Sequence, residues 1–256
     1  MGSNTQYANT TNPKIYCFCT KDRPSYLSHN NQQDVILKAF ELSETEKSMF
    51  SNLGFLLDDF GDNISHVNRY FGQLTGLYWT WKNSTDPYVG TCTYRIFWKD
   101  DIALRPNELL IPKPTNVLVG MPGENFIEGY DIKEQYKICH GDVMLKFLYG
   151  VLSTENFAIT CEMMNDAMTK TKLHPYNMFV AKKETFDKIC EMLFEVLFSL
   201  YNNFGYFFPT LEHKIQQIRF LDFLAERILN TIFVNASTLL PNINILEMDT
   251  TVLPRL

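Results

Sequence analysis

The stretch Lys14-Ile-Tyr-Cys-Phe-Cys-Thr20 is a short apolar run of β-forming residues. It ends in polar residues 21–24, as a buried parallel strand does where it meets a loop. Residues 1–13 before it are mostly polar and rich in Asn and Thr, which predicts a flexible lead. No Gly/Ser-rich or Pro-rich linker divides the rest, so we expect residues 14–256 to form a single domain.

Strand and helix patterns alternate along the chain beyond this first strand. Strands are predicted over residues 88–98, 116–120 and 176–181, and helices over residues 33–49, 67–81, 132–152, 186–197 and 211–233. Ser65 is placed as the N-cap of the helix that follows it. The alternation predicts parallel β-α-β units, and therefore an α/β fold with a mostly parallel central sheet and a helical C-terminal part. Ligands of such folds bind where the carboxyl ends of the strands meet the loops.

Composition excludes several classes of protein. The 256 residues are 45% hydrophobic and 20% charged, which is typical of a globular chain with a sizeable core. Lys and Arg total 23 against 29 Asp and Glu, a net charge of −6, so a nucleic-acid-binding surface is disfavoured. No apolar run reaches the roughly 20 residues of a membrane span, and the start of the chain does not resemble a signal peptide. Six scattered cysteines favour a reducing compartment, and we expect a cytoplasmic protein, with contact at the inner membrane face left open.

Common catalytic and phosphate-binding motifs are absent from the sequence. There is no G-x-G, no G-K-[ST], no H-E-x-x-H and no G-x-S-x-G. There is also no D-x-D, the motif by which many sugar-nucleotide transferases hold a divalent ion; Glu247-Met-Asp249 is interpreted as part of a C-terminal strand. We therefore predict no metal ligands, and Mn²⁺ or Mg²⁺ is left open as a cofactor.

One segment carries a much more specific signal. It begins with Asp58-Asp-Phe-Gly-Asp-Asn-Ile-Ser65, continues through Gln73-Leu-Thr-Gly-Leu-Tyr-Trp-Thr-Trp-Lys-Asn83 and ends at Tyr94-Arg95. In order, spacing and identity this block resembles bacterial capsule and O-antigen glycosyltransferases with the signature D-D-x-G-D-N-I-S, E-L-T-x-x-Y-W-x-W-K-N and H-Y-R-R, a group that includes galactofuranosyltransferases. Weaker similarities extend the resemblance to nearly the whole chain.

The resemblance implies a GT-A-like nucleotide-sugar transferase fold and a glycosyltransferase function. A sugar, with galactofuranose the first choice, would pass with inversion from a UDP-sugar donor to a hydroxyl of a glycan or lipid-linked glycan. Thr93 and Ile96 stand where the family has His and its second Arg, and Gln73 stands where it has Glu. Two alternatives therefore stay open: the same scaffold using a different nucleotide sugar, and an inactive module that binds a sugar or nucleotide.

Candidate site residues follow from the chemistry that such a transfer needs. A carboxylate must accept the proton of the acceptor hydroxyl, and the candidates are Asp58, Asp59 and Asp62, with Glu226 in reserve. Cations must stabilise the leaving diphosphate, and Arg95 at a strand end suits this role. For Lys82 a helix-capping role competes evenly with a phosphate role. The full set of predicted substrate-binding residues is Thr20, Lys21, Asn63, Trp81, Lys82, Asn83, Tyr94, Arg95 and Asn177.

Overall fold

A mixed sheet lies at the centre of the computed structural model, which describes residues 10–21, 33–39, 42–120, 127–211 and 218–252. Its strands, together with a small separate pair (β7 and β8), are β1 Lys14–Cys19, β2 Gln33–Leu37, β3 Leu56–Leu57, β4 Tyr88–Thr93, β5 Ile96–Trp98, β6 Glu108–Pro112, β7 Thr115–Asn116, β8 Lys172–Leu173, β9 Val180–Lys182, β10 Asn244–Met248 and β11 Thr250–Val252. The helices are α1 Glu44–Asn52, α2 Asn68–Phe71, α3 Leu74–Asn83, α4 Ile132–His140, α5 Val143–Thr154, α6 Cys161–Met168, α7 Lys183–Phe204, α8 Phe208–Leu211, α9 Phe220–Val234 and α10 Ala236–Leu239.

The strand order is β10-β6-β9-β4-β1-β2-β3, with β5 pairing to β4 and to β11. The long pairings of β1 with β2 and β4, and of β6 with β10, are parallel. The short strand β9 runs antiparallel between β4 and β6. The α/β class and the mostly parallel central sheet are therefore confirmed, and β10 confirms the strand predicted around Glu247.

Successive residues of β1 point to opposite faces of the sheet, as the period of a strand requires. Tyr16 and Phe18 join the larger core, which packs the sheet against α3, α5, α7 and α9. Cys17 and Cys19 join a smaller core on the other face, with Cys92 of β4. The predicted helix over residues 186–197 is α7, and its face of Phe186, Ile189, Leu193, Phe194 and Leu197 is buried.

Two predicted helices are wrong in part. Residues 33–37 form strand β2 beside β1, and the helix begins only at Glu44, where Ser43 and Glu46 form a reciprocal capping box. The helix predicted over residues 67–81 is interrupted at Gly72, whose φ of +55° is outside the helical range. Ser65 does not cap it; its hydroxyl donates to Asp58.

Other predicted elements are shorter than expected. Strand 88–98 turns at Tyr94-Arg95 into the antiparallel strand β5, and helix 132–152 is divided at Gly141, with φ +79°. Strand 116–120 reduces to Asn116 in β7 and an isolated bridge at Val119. In the segment 176–181 only the end forms β9, and of the final helix, residues 212–217 lie outside the described part of the chain.

Residues 1–9 of the predicted lead also lie outside the described residues. Thr11, which the sequence places in that lead, pairs with Leu104 through two backbone hydrogen bonds of 2.9 and 3.1 Å. None of the described helices is both long enough and apolar enough to cross a lipid bilayer.

Candidate active site

A cleft of two adjoining pockets lies at the carboxyl ends of β1, β2 and β4. The first, here the β1 pocket, is lined by Phe18, Cys19, Thr20, Ile36, Lys38, Asp58, Asn68, Gly72, Gln73, Thr75, Gly76, Tyr94 and Arg219. The second, here the arginine pocket, is lined by Gln73, Thr93, Tyr94, Arg95, Ile96, Gln135, His140, Tyr176, Asn177, Arg219, Asp222, Phe223, Glu226 and Arg227. The pockets share Gln73, Tyr94 and Arg219 and therefore form one continuous cleft. This is the position at which α/β folds bind ligands.

Asp58 is buried at the wall of the β1 pocket, and its carboxylate already accepts three hydrogen bonds from the protein. These come from the backbone N–H of Ala39 at 2.8 Å, the hydroxyl of Ser65 at 2.9 Å and the hydroxyl of Thr75 at 2.5 Å. Burial raises the pKa of Asp58 despite these donors. The side chain thus connects the end of β2 to α3, which is a structural role.

Asp59 and Asp62 line neither pocket. Asp59 pairs with Lys47 at 2.8 Å, and Asp62 accepts a hydrogen bond of 3.1 Å from the Tyr78 hydroxyl. Asn63 is also used locally, because its amide donates to the backbone carbonyls of Asp59 and Gly61.

Helix α3 holds this acidic loop in place. Asn83 accepts from the Asp62 N–H at 3.2 Å and donates to the Asp62 carbonyl at 2.8 Å. The indole of Trp79 donates to the Phe60 carbonyl at 2.7 Å. The two halves of the family-like block are therefore hydrogen-bonded to each other, through these contacts away from the lining of the cleft and through Thr75 and Asp58 at the β1 pocket.

Three further predicted residues also lie outside the lining. Trp81 stacks on Phe194 of α7, with ring centroids 5.6 Å apart. The ammonium of Lys82 lies 3.4 Å from the centroid of the Trp81 ring. Lys21 pairs with Glu46 at 3.1 Å.

The structure brings five predicted residues together with Asp58 at the cleft: Thr20, Tyr94, Arg95, Asn177 and Glu226. Tyr94 and Arg95 lie in the turn between β4 and β5. Asn177 reaches the same edge because β9 runs antiparallel to β4, which places the residues before Val180 beside the end of β4. Glu226 arrives from α9 and accepts a hydrogen bond of 2.8 Å from the Tyr176 N–H.

Helix α9 also supplies residues that the sequence reasoning missed. Asp222 lies on the same face of α9 as the predicted Glu226, four residues away, and Arg219 is the residue directly before the helix. Arg219 approaches Asp222 to 3.6 Å, and Arg227 pairs with Glu226 at 2.5 Å. A lone Asp in the otherwise apolar run Phe220-Leu-Asp-Phe-Leu was the available signal, since a buried carboxylate needs partners.

Burial dominates the electrostatics of the arginine pocket. It raises the pKa of Asp222 from 3.8 to about 7, although Arg219, Asn177 and Gln73 favour the ionised form. It lowers the pKa of His140 to about 3, and the charge of Arg227 acts in the same direction. At neutral pH the His140 ring is therefore uncharged, stacked on Phe223 with ring centroids 4.1 Å apart.

Within the described residues no group of three or more His, Cys, Asp and Glu side chains has the arrangement of a metal site. The side chains that follow β4 in the cleft are Tyr94 and Arg95, an aromatic ring and a cation. These residues are suited to an anion and not to a divalent cation.

Comparison with known proteins supports the fold and assigns a family. A comparison with curated protein sequences finds no match. The structure is similar to a solved structure described as the apo form of WbbM, a bifunctional glycosyltransferase, with a TM-score of 0.62 and 20% sequence identity. The similarity covers 96% of this chain and 46% of that one, so this chain spans about half the length of WbbM. At the level of the fold, the GT-A-like prediction is confirmed.

A family model described as a domain of unknown function, DUF4422, matches residues 14–237. This range includes the central strands β1, β2 and β4 and helix α9, which contribute residues to the cleft. Since the match extends over most of the sequence, the chain belongs to the DUF4422 family.

Proposed function

We propose that this chain is a glycosyltransferase that moves a sugar from a UDP-sugar to a hydroxyl of a glycan or lipid-linked glycan. The observation that carries the proposal is the convergence of Arg95, Arg219 and the carboxylate of Glu226 on one cleft at the carboxyl ends of parallel strands. A fold shared with a protein described as a glycosyltransferase supports it.

The two pockets suggest how the donor would lie. The β1 pocket has apolar walls from Phe18 and Ile36, which suit the flat face of the uracil ring. Arg219 borders both pockets, and Arg95 borders the arginine pocket beside it. Guanidinium groups donate paired hydrogen bonds to phosphate oxygens, so the diphosphate would lie at this junction and the sugar in the arginine pocket.

The transfer would invert the anomeric carbon in a single displacement. The acceptor oxygen forms the new bond to that carbon as the bond to the phosphate oxygen breaks, and UDP leaves with the electron pair. The proton of the acceptor hydroxyl passes to a carboxylate. We assign this role to Glu226, because among the carboxylates proposed from the sequence it lies in the arginine pocket. Arg95 and Arg219 would stabilise the charge on the leaving diphosphate.

Galactofuranose is the first donor sugar to test, on the strength of the sequence resemblance. A different nucleotide sugar is the second candidate, and a specific observation favours it. Thr93 and Ile96, which replace the His and the second Arg of the related signature, both line the arginine pocket. A changed lining at the place proposed for the sugar is expected to change the preferred sugar.

Release of UDP from a panel of UDP-sugars, with glycan and lipid-linked acceptors, tests the proposal. We expect turnover with one donor and tight binding of UDP alone. Binding of UDP with no turnover for any donor and acceptor pair would instead indicate an inactive nucleotide-binding module. Absence of UDP binding would refute the proposal.

A further inference from the structure

Two consecutive residues at the arginine pocket have a left-handed backbone. Tyr176 has φ +81° and Asn177 has φ +53°. Side chains other than glycine are uncommon in this region, and such backbone persists only where the surroundings hold it. Contacts of this Tyr176–Asn177 turn with the surrounding elements must therefore stabilise its backbone.

The neighbouring elements hold the turn at both residues. The Tyr176 N–H donates to Glu226 at 2.8 Å, and the amide of Gln73 donates to the Tyr176 carbonyl at 3.3 Å. The side-chain amide nitrogen of Asn177 donates to the backbone carbonyl of Asp222 at 3.2 Å and to its carboxylate at 3.1 Å. Every one of these side chains also lines the arginine pocket.

These contacts fix the orientation of the Asn177 amide. Both donors of its nitrogen are directed at Asp222, so the carbonyl oxygen Oδ1 must point the other way. Asn177 is only 6% exposed, and Oδ1 has no hydrogen-bond partner among the described residues. A buried acceptor without a partner costs stability, so native proteins retain one mainly where a ligand or water completes it.

Two further residues of the same pocket, Arg227 and His140, each carry an unpartnered polar atom. Nε of Arg227, a residue only 3% exposed, and Nδ1 of His140 are both buried without a partner among the described residues. Nε is a donor and Oδ1 is an acceptor. A hydroxyl group both donates and accepts, so a molecule with several hydroxyls satisfies this mixed set.

The charges near these atoms are already compensated within the protein. The guanidinium of Arg227 pairs with Glu226 at 2.5 Å and also donates to Gln135 at 2.7 Å. Asp222 faces Arg219 and the Asn177 amide. Around the unpartnered atoms, Arg227 and Arg219 thus already face carboxylates, and the remaining cation of the lining, Arg95, is the one proposed for the diphosphate, so a sugar carboxylate has no further cation to pair with among the described lining residues.

We propose that Oδ1 of Asn177 accepts a hydrogen bond from a hydroxyl of the transferred sugar, and that the arginine pocket selects a neutral sugar over a sugar acid. The inference rests on the proposed function, since it takes the donor to be a UDP-sugar. Asn177 would be a specificity-determining residue, with its side chain oriented by Asp222 and its backbone by Glu226 and Gln73.

The test compares Asn177→Gly with Asn242→Gly by calorimetry. Glycine tolerates the left-handed backbone at both sites, and Asn242, with φ +70°, is an exposed left-handed asparagine outside the cleft lining. The ligands are UDP, UDP-galactofuranose, UDP-galactose, UDP-glucose and UDP-glucuronate. We expect Asn177→Gly to bind UDP within twofold of the wild type and to bind the preferred neutral UDP-sugar about 5–20-fold more weakly. Asn242→Gly should match the wild type throughout, and the wild type should bind UDP-glucuronate more weakly than the preferred neutral donor.

Other results would overturn the inference. An equal loss for UDP and UDP-sugar would place Asn177 at the nucleotide, and no loss for any sugar would remove its role. Preference of the wild type for UDP-glucuronate would contradict a neutral sugar. If the wild type binds UDP but wild type and Asn177→Gly bind every UDP-sugar equally well, this inference fails and the proposed function stands. If the wild type does not bind UDP, both the proposed function and this inference fail. Asn177→Ser, which is too short to reach the same position, replaces the glycine variant if the latter does not fold.

Discussion

At the scale of single residues, the carboxylates of this chain have two different kinds of surroundings. Asp58 accepts three hydrogen bonds from the protein, and Asp59 is paired with Lys47. Asp222 and Glu226 also have partners, but both line the arginine pocket, where a substrate could reach them. Acidity alone therefore does not identify the base; a place in the lining of the arginine pocket separates Asp222 and Glu226 from Asp58, which lines only the β1 pocket, and from Asp59, which lines neither.

Glu226→Gln is expected to lower turnover by roughly 10²–10⁴, the usual contribution of a positioned general base. Glutamine keeps the acceptor for the Tyr176 N–H, so UDP affinity should change little. Asp59→Asn and Asp62→Asn are the matched controls, because the sequence places the base in that cluster. Loss of turnover in either control, with Glu226→Gln active, would assign the base to the acidic loop.

Arg95→Ala is expected to weaken UDP binding by roughly 1.5–3 kcal/mol, the range for hydrogen bonds to charged groups. The melting temperature should stay nearly constant, because Arg95 lies in a turn and is only partly buried. Arg105→Ala removes an exposed arginine that pairs with Glu108 outside the cleft and serves as control. A variant that melts early but binds UDP normally would show that Arg95 is structural.

Asp222→Asn should change how stability depends on pH. Because the pKa of the carboxyl is raised from 3.8 to about 7, the folded wild type keeps a proton between these values that the unfolded chain loses. The free energy of unfolding of the wild type therefore falls, through this group, as the pH rises from about 4 to 7. Asparagine does not titrate. The free energy of unfolding of the variant, relative to that of the wild type, should therefore be about 1–3 kcal/mol higher at pH 8 than at pH 5. Urea unfolding at the two pH values measures this, and an equal difference at both would disprove it.

At the scale of elements, the site depends on how closely α2 and α3 approach α9. Gly72 joins the two short helices, and a Cβ at this position would lie 2.7 Å from Oδ2 of Asp222 and 2.9 Å from Cδ of Arg219. The absence of a side chain lets the backbone pass directly against the charged face of α9. The break that divides the predicted helix is thus the contact that builds the cleft.

Gly72→Ala should destabilise the protein and weaken UDP binding together, since the new methyl group must displace Asp222 and Arg219. Gly54→Ala is a close control, because Gly54 has φ +86° but no atom within 4 Å of the added Cβ. Gly54→Ala carries the cost of an alanine at positive φ, about 1–2 kcal/mol, whereas Gly72, with φ +55° and ψ −129°, has a backbone that alanine adopts even less readily. Only Gly72→Ala should lose more than this and lose UDP affinity. Equal effects of the two substitutions on unfolding and binding would exclude the packing argument.

At the scale of the whole molecule, the proposed function requires the cleft to neutralise the diphosphate with its own side chains. Arg95 and Arg219 border it, and the described residues contain no cluster suited to a metal ion. We therefore expect UDP to bind equally well with Mn²⁺ and with a chelator. Calorimetry under both conditions tests this expectation. Binding that a chelator abolishes and Mn²⁺ restores would show that a metal contributes.

The sequence predicts the layered α/β architecture well, because buried strands such as β1 and long helices such as α7 have clear periodicity. It fails where tertiary contacts decide the backbone. Residues 33–37 are predicted as helix but form a strand that pairs with β1. Asn177 is predicted in a strand but has a left-handed backbone, held by contacts with Asp222 and by the bond of Tyr176 to Glu226. Of the residues that line the cleft, the sequence predicts Thr20, Tyr94, Arg95, Asn177 and Glu226 as site residues, together with Asp58. It does not predict Asp222, whose place there depends on contacts with distant Asn177 and Gln73.

The pairing of β6 with β10 has a consequence for how the nascent chain is handled at the ribosome. Strand β6 is buried, yet its neighbours β9 and β10 are both later in the chain, and β10 is made about 130 residues after it. At about 5–20 residues per second, the segment Glu108-Leu-Leu-Ile-Pro112 waits roughly 7–26 s for that last partner. During this interval an apolar strand edge is open to pairing with other chains. Chaperone capture and slow translation should therefore affect the yield of this protein most between the synthesis of β6 and the synthesis of β10.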